Sequence, residues 1–130
     1  LDDGAGLNNL ANCYFTGRGV TRSLKRAYEL YKKSAEMGND FAMINTSYNY
    51  ADGKGIFKNY TKSLAWAIMS IRVMQKRENL TSFEKTNLRK RKDWERRLRE
   101  YLNSLGGAEV ARASQIASNC IQKKFKNCGG

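Results

Sequence analysis

A glycine turn that occurs twice at a fixed spacing constrains this chain more than any other feature. Gly-x-Gly followed by an apolar residue stands at residues 17–20 and again at 53–56, which is 36 positions later. The surroundings correspond as well, since Tyr14 matches Tyr50. A period of this length is typical of repeat proteins in which one supersecondary unit is copied along the chain. The pattern therefore predicts an α-solenoid, an all-α stack of antiparallel helix pairs.

Apolar residues at helical spacing predict about six helices. The absence of proline agrees with this, because every backbone N–H stays available to a helix. The predicted helices span residues 4–16, 23–37, 41–51, 59–77, 82–104 and 108–124. We expect one domain over 1–130, with repeat one at 4–38, repeat two at 41–77 and a capping helix pair at 80–128. The cap is expected because two repeats alone bury too little apolar surface.

The fifth predicted helix is the longest and has a clear start signal. Thr81 and Glu84 have the spacing of a capping box, in which the two side chains satisfy backbone N–H groups at a helix start. Large apolar residues at helical intervals predict the buried face of this helix: Phe83, Trp94, Leu98, Tyr101 and Leu105.

The two units carry residues that identify a family. The first unit reads Asn9-Leu10-Ala11, then Cys13-Tyr14 and Gly17-Arg18-Gly19-Val20, and the second has Ala42, Asn45, Tyr50, Gly53, Gly55, Ile56, Lys62 and Trp66. With these residues, 6–74 resembles two units of the Sel-one-like repeat family, which is related to the tetratricopeptide repeat. The resemblance implies a right-handed superhelix and a bacterial adaptor, not an enzyme, that binds another protein without a cofactor.

The residue types present argue against catalysis and metal binding. The chain has no histidine, so it lacks the commonest general base and metal ligand. Its three cysteines do not have the spacing of a zinc site. We therefore expect neither an enzyme nor a metal or cofactor site.

Basic residues form a stripe along the fifth predicted helix. The formal net charge is +12, and charge of this sign attracts acidic surfaces. Two interpretations stay open. The stripe is either a solvated face with Asp93–Arg97 and Glu95–Arg99 pairs, or a dock for an acidic protein surface. The alternative function is a basic module that binds nucleic acid or anionic surfaces through residues 82–104. The stripe consists of Lys85, Arg89, Lys92, Arg96 and Arg99, flanked by Arg91 and Arg97.

A second candidate surface is the concave face of the stack, which the first helix of each pair lines. Asn12 and Tyr48 occupy equivalent positions in the two units. If both project from that face, they are candidates to hold a partner's backbone and to anchor it.

Cysteine spacing bears on the compartment. Cys120 and Cys128 form a disulfide only if the helix breaks around residues 123–127, because eight residues of straight helix separate them by about 12 Å. A bridge would indicate an oxidising compartment. The chain begins with Leu1 rather than Met, which predicts a processed or trimmed form. We therefore favour export over a cytoplasmic location. No apolar run reaches the roughly 18 residues of a membrane span.

Overall fold

The computed structural model describes residues 3–126 and 128, and in these residues it contains six helices and no strand. The prediction of an all-α chain is confirmed. Helix α1 packs against α2 and α3 packs against α4, whereas α5 and α6 each pack mainly against α4. Their bounds are α1 Asp3–Thr16, α2 Leu24–Glu36, α3 Asp40–Asp52, α4 Tyr60–Gln75, α5 Ser82–Ser104 and α6 Ala108–Gln122.

Local sequence signals determine where these helices begin and end. The side chains of Ser23, Asn39 and Asn59 each accept a hydrogen bond from a backbone N–H in the first turn of the helix that follows. Thr81 and Glu84 form the complete capping box at the start of α5. Gly53 ends α3 in the left-handed conformation, with φ at 67°, which costs glycine little.

The core is centred on α4, which packs against α3, α5 and α6. Every residue from 63 to 71 is buried, and Trp66 is its largest side chain. Between the two repeats, the hydroxyl groups of Tyr28 and Tyr50 share a hydrogen bond of 2.7 Å and their rings meet edge to face. The pairing satisfies two polar groups that the stacked helices bury.

A buried carboxylate joins three helices. Asp40, at the start of α3, is 1% exposed and accepts a 2.7 Å hydrogen bond from Nη1 of Arg91 on α5. The same Arg91 nitrogen donates to the hydroxyl of Ser70 on α4, at 2.9 Å. Arg77 also pairs with Asp40. The interpretation of Arg91 as a flank of the basic stripe is therefore wrong, because its side chain lies in the interior.

The predicted buried face of α5 is only partly correct. Leu98 is buried, whereas Phe83 is 69%, Tyr101 47% and Leu105 67% exposed. The residues of α5 that do face the core are Arg91, Leu98 and Leu102, with Trp94 half-buried beside them. Phe83 and Leu105 lie near the two ends of the helix.

The chain reverses direction after α6. Lys124 and Phe125 adopt left-handed backbone angles, with φ at 53° and 68°, and this turn returns the chain toward the helix. Cys120 and Cys128 are bonded through their sulfur atoms, with their Cα atoms 5.1 Å apart. Phe125 and Cys128 pack against the core. The disulfide therefore ties Cys128 back to α6.

Breaking this disulfide is expected to lower the free energy of unfolding by about 2–3 kcal/mol, the chain-entropy value for a loop of this short length. Denaturation of the Cys128→Ser variant in urea measures the change. Cys13→Ser is the matched control, because Cys13 is a free, half-buried thiol. Equal stability of Cys128→Ser and Cys13→Ser would contradict the prediction.

Candidate partner-binding groove

Helices α1, α3 and α5 follow one another along one face of the molecule. Asn45 on α3 donates a 3.2 Å hydrogen bond from its side-chain amide to that of Asn8 on α1. On the other side of α3, the rings of Tyr48 and Trp94 meet edge to face, with centroids 5.1 Å apart. Helices α1, α3 and α5 therefore line this face in order, as first helices do in stacked repeats.

An open groove of about 610 Å³ lies between α3 and α5 on this face. One wall is Tyr48 from α3, and the other is a run of side chains from two turns of α5. The groove as a whole combines two aromatic rings with three cationic groups and one carboxylate. The lining residues are Tyr48, Arg89, Lys90, Asp93, Trp94 and Arg97.

Hydrogen bonds to the interior fix the aromatic floor of the groove. The indole N–H of Trp94 donates to the hydroxyl oxygen of Ser47, at 2.9 Å. Ser47 is fully buried and its own hydroxyl donates to the carbonyl of Ser63 on α4, at 2.6 Å. Since the indole is anchored at one edge and packed against Tyr48, its orientation is set before any partner arrives. Preorganised aromatic side chains of this kind lose little entropy on binding.

The groove carries an excess of positive charge. The Arg97 guanidinium lies 5.4 Å from the centre of the Trp94 ring, and its Nε is 3.3 Å from an oxygen of Asp93. Arg89 and Lys90 form no ion pair with any residue in 3–126 or with Cys128. Three cations therefore face one carboxylate.

The pKa values of two groove residues, Asp93 and Tyr48, are shifted. A hydrogen bond from Arg96 lowers the pKa of Asp93, so this carboxyl is ionised at neutral pH. Burial raises the pKa of Tyr48, so its phenol stays neutral there and keeps a proton to donate.

The structure brings together some of the residues that the sequence selected and separates others. Tyr48 and Arg89 line the groove. Lys85 and Lys92 are exposed on α5 but lie outside the groove lining. Asn12 is half-buried and accepts a hydrogen bond from the hydroxyl of Tyr31 on α2, within the first repeat.

The remaining stripe residues are engaged along α5 itself. Arg96 pairs with Asp93 and with Glu100, the latter at 2.8 Å, and Arg99 pairs with Glu95 at 2.6 Å. Pairs of this kind are what the solvated-face interpretation expects. The cations without such partners, Arg89 and Lys90 above all, are therefore the ones available to an incoming anion.

Sequence reasoning did not select the α5 residues that complete the groove. The apolar periodicity of α5 predicts Trp94 in the core, whereas the structure shares its ring between the core and the groove. The spacing of Lys90, Trp94 and Arg97 along one helix places a tryptophan between two cations. That pattern was the available signal, because tryptophan and arginine are enriched where proteins bind one another.

Over the described part of the chain, no group of three or more His, Cys, Asp or Glu side chains is placed to hold a metal ion. None of the helices described above has the length and apolar character that crossing a bilayer requires.

Comparison with known proteins gives the family and the fold. The family model for the Sel1 repeat matches residues 4–39 and 40–72, which is more than half of the chain. No curated protein matches. Among solved structures, a protective antigen present in uropathogenic Escherichia coli strains, described as displaying an SLR fold, aligns with a TM-score of 0.67 at 21% identity. The alignment covers 96% of this chain and 24% of that one. The α-solenoid prediction is confirmed by this likeness.

Proposed function

Because this chain belongs to the Sel1 repeat family, whose members generally mediate protein–protein interactions, we propose that it is an adaptor without enzymatic activity. Its partner is a protein, and the groove between α3 and α5 holds an acidic segment of that partner. Helices α5 and α6 close the stack behind the two repeats. The disulfide between Cys120 and Cys128 favours an oxidising compartment, and hence an exported protein.

One observation carries the proposal: a fixed, accessible pair of aromatic rings is bordered by two cations, Arg89 and Lys90, that pair with no carboxylate among the described residues. Tyr48 and Trp94 offer apolar area to a partner's side chain. Arg89 lines the groove and has the fork of donors that binds a carboxylate through two hydrogen bonds. Aromatic and arginine side chains together are the usual content of interaction hot spots.

Binding to an array of short peptides tests the proposal. We expect the protein to retain peptides rich in Asp and Glu and to ignore matched peptides that carry Asn and Gln instead. Arg89→Glu with Arg97→Glu should weaken retention at least tenfold, because two cations of the groove become anions. The matched control is Lys85→Glu with Lys92→Glu, which makes the same change in net charge on the same helix but outside the groove.

The controls separate the groove from the net charge of the protein. If both charge reversals reduce peptide retention equally, the groove is not the binding site. If Tyr48→Ala has no effect on retention, the aromatic pair does not contribute. The alternative function is tested in parallel with double-stranded DNA at low salt, where phosphate binding is strongest. If the unmodified protein retains DNA and the variant Lys85→Glu with Lys92→Glu does not, the result favours the nucleic-acid module over the adaptor.

A further inference from the structure

The turns that end α1 and α3 lie together at one edge of the stack. Gly55, in the second turn, is so close to α2 that a Cβ atom added to it would lie 2.1 Å from the carbonyl oxygen of Leu24. Leu24 directly follows the first turn, so the two turns are neighbours. We call residues 17–26 and 53–62, which correspond in the repeat, the turn edge.

The turn edge is basic throughout. It holds seven basic residues and no acidic one. None of the seven forms an ion pair with any residue that the structure describes. Instead, Arg26 lies over the ring of Tyr14, and Lys62 lies near that of Tyr50. The seven are Arg18, Arg22, Lys25, Arg26, Lys54, Lys58 and Lys62.

The opposite edge has a different composition. The turn from α2 to α3 contains Glu36 and Asp40 and no basic residue between them. The turn from α4 to α5 balances Lys76 and Arg77 against Glu78 and Glu84. Positive charge is therefore concentrated at the turn edge and is absent or balanced in the turns of the opposite edge.

Phe57 stands in the middle of this basic edge with 93% of its surface exposed. It lies between Lys54 and Lys58, and its counterpart in the first repeat is the polar Thr21. A phenylalanine in this position has no packing role in the fold. Phe57 follows the turn that ends α3, and there it lines a shallow, open depression with Gly53, Gly55 and Ile56.

We propose that the turn edge docks on a lipid bilayer that contains anionic lipid, with Phe57 inserted among the headgroups. Clustered lysine and arginine side chains are attracted to the negative surface potential of such a membrane. An apolar side chain flanked by cations adds burial to this attraction, as in proteins that lie on the membrane interface. The turn edge and the groove between α3 and α5 consist of different residues. The membrane proposal therefore does not depend on the adaptor proposal.

Co-sedimentation with vesicles tests this docking. We expect binding to vesicles with about one third phosphatidylserine in phosphatidylcholine, and none to pure phosphatidylcholine. Phe57→Ala should weaken binding about tenfold, because the burial of the ring is lost. Phe83→Ala is the matched control, since Phe83 is also exposed but begins α5 near the opposite edge, and we expect it to bind as the unmodified protein does.

A second pair of variants separates the turn edge from the overall charge. Lys54→Glu with Lys58→Glu should weaken vesicle binding at least tenfold. Lys85→Glu with Lys92→Glu makes an equal change in net charge on α5 and should weaken it far less.

Two results would overturn the proposal: equal losses in these two variants, or a Phe57→Ala variant that binds vesicles normally. If Phe57→Ala instead abolishes capture of a protein while vesicle binding persists, Phe57 is a protein anchor and the membrane proposal is wrong. All six substituted positions are at least partly exposed, and circular dichroism checks that each variant is folded.

Discussion

Replacement of Asp40 with alanine is expected to lower the free energy of unfolding by about 3–5 kcal/mol, because it leaves the guanidinium of Arg91 buried without a counter-ion. Arg91 is 3% exposed, so water does not replace the lost carboxylate. Ser70, its other hydrogen-bond partner, is neutral and cannot compensate the charge. Urea denaturation monitored by circular dichroism measures the change.

Two controls identify the cause of this loss. Asp93→Ala also removes a carboxylate that pairs with arginines, but Asp93 is on the surface, so its loss should have a much smaller effect on stability. The double variant Asp40→Ala with Arg91→Met should be more stable than Asp40→Ala alone, because it removes the stranded charge. If the double variant is the less stable of the two, the stranded charge is not the source of the loss.

The helices themselves were predictable because their signals are local. Caps such as Asn59 and the Thr81–Glu84 box act within one turn of the helix, and the sequence places them at the helix starts that the structure shows. The repeat was predictable from the duplicated glycine turn. Its signal is also local, since Gly53 supplies the left-handed conformation that ends α3. Each predicted helix differs from the observed one by at most two residues at either end.

The interior face of α5 was not predictable, because it depends on a residue far away in sequence. Arg91 has the helical spacing of a core position relative to Leu98 and Leu102. A charged side chain there becomes acceptable only when a buried partner faces it, and Asp40 is 51 residues earlier. Apolar periodicity instead favoured Phe83, which has the right residue type but is 69% exposed.

The groove was only partly predictable from the sequence, for the same reason. Tyr48 and Arg89 were selected separately, one from its position in the repeat and the other from a stripe of charge. What joins them is Trp94, whose indole bonds to Ser47 and packs on Tyr48 across 46 residues of sequence. A single sequence indicates which face of each helix is unusual, but the stacking of α5 on the second repeat decides which faces meet.

Replacement of Gly55 with alanine is expected to destabilise the protein by about 2–5 kcal/mol, because two penalties combine. The residue has φ at 81°, where a Cβ atom is strained by about 1–2 kcal/mol. The added atom would also lie 2.1 Å from the carbonyl oxygen of Leu24, a backbone atom that cannot rotate away. The second turn must then move off α2, which loosens the packing between the repeats at a further cost of about 1–3 kcal/mol.

The repeat provides its own control for this substitution. Gly19 is the equivalent residue of the first unit and has nearly the same backbone angle, φ at 76°, but a Cβ atom there meets nothing within 4 Å. Gly19→Ala should therefore cost only the conformational strain, about 1–2 kcal/mol. The difference between the two variants, measured by urea denaturation, isolates the contact that stacks one repeat on the other. Equal destabilisation would show that the turn conformation alone requires glycine, and that the approach of Gly55 to Leu24 contributes nothing to the stability of the stack.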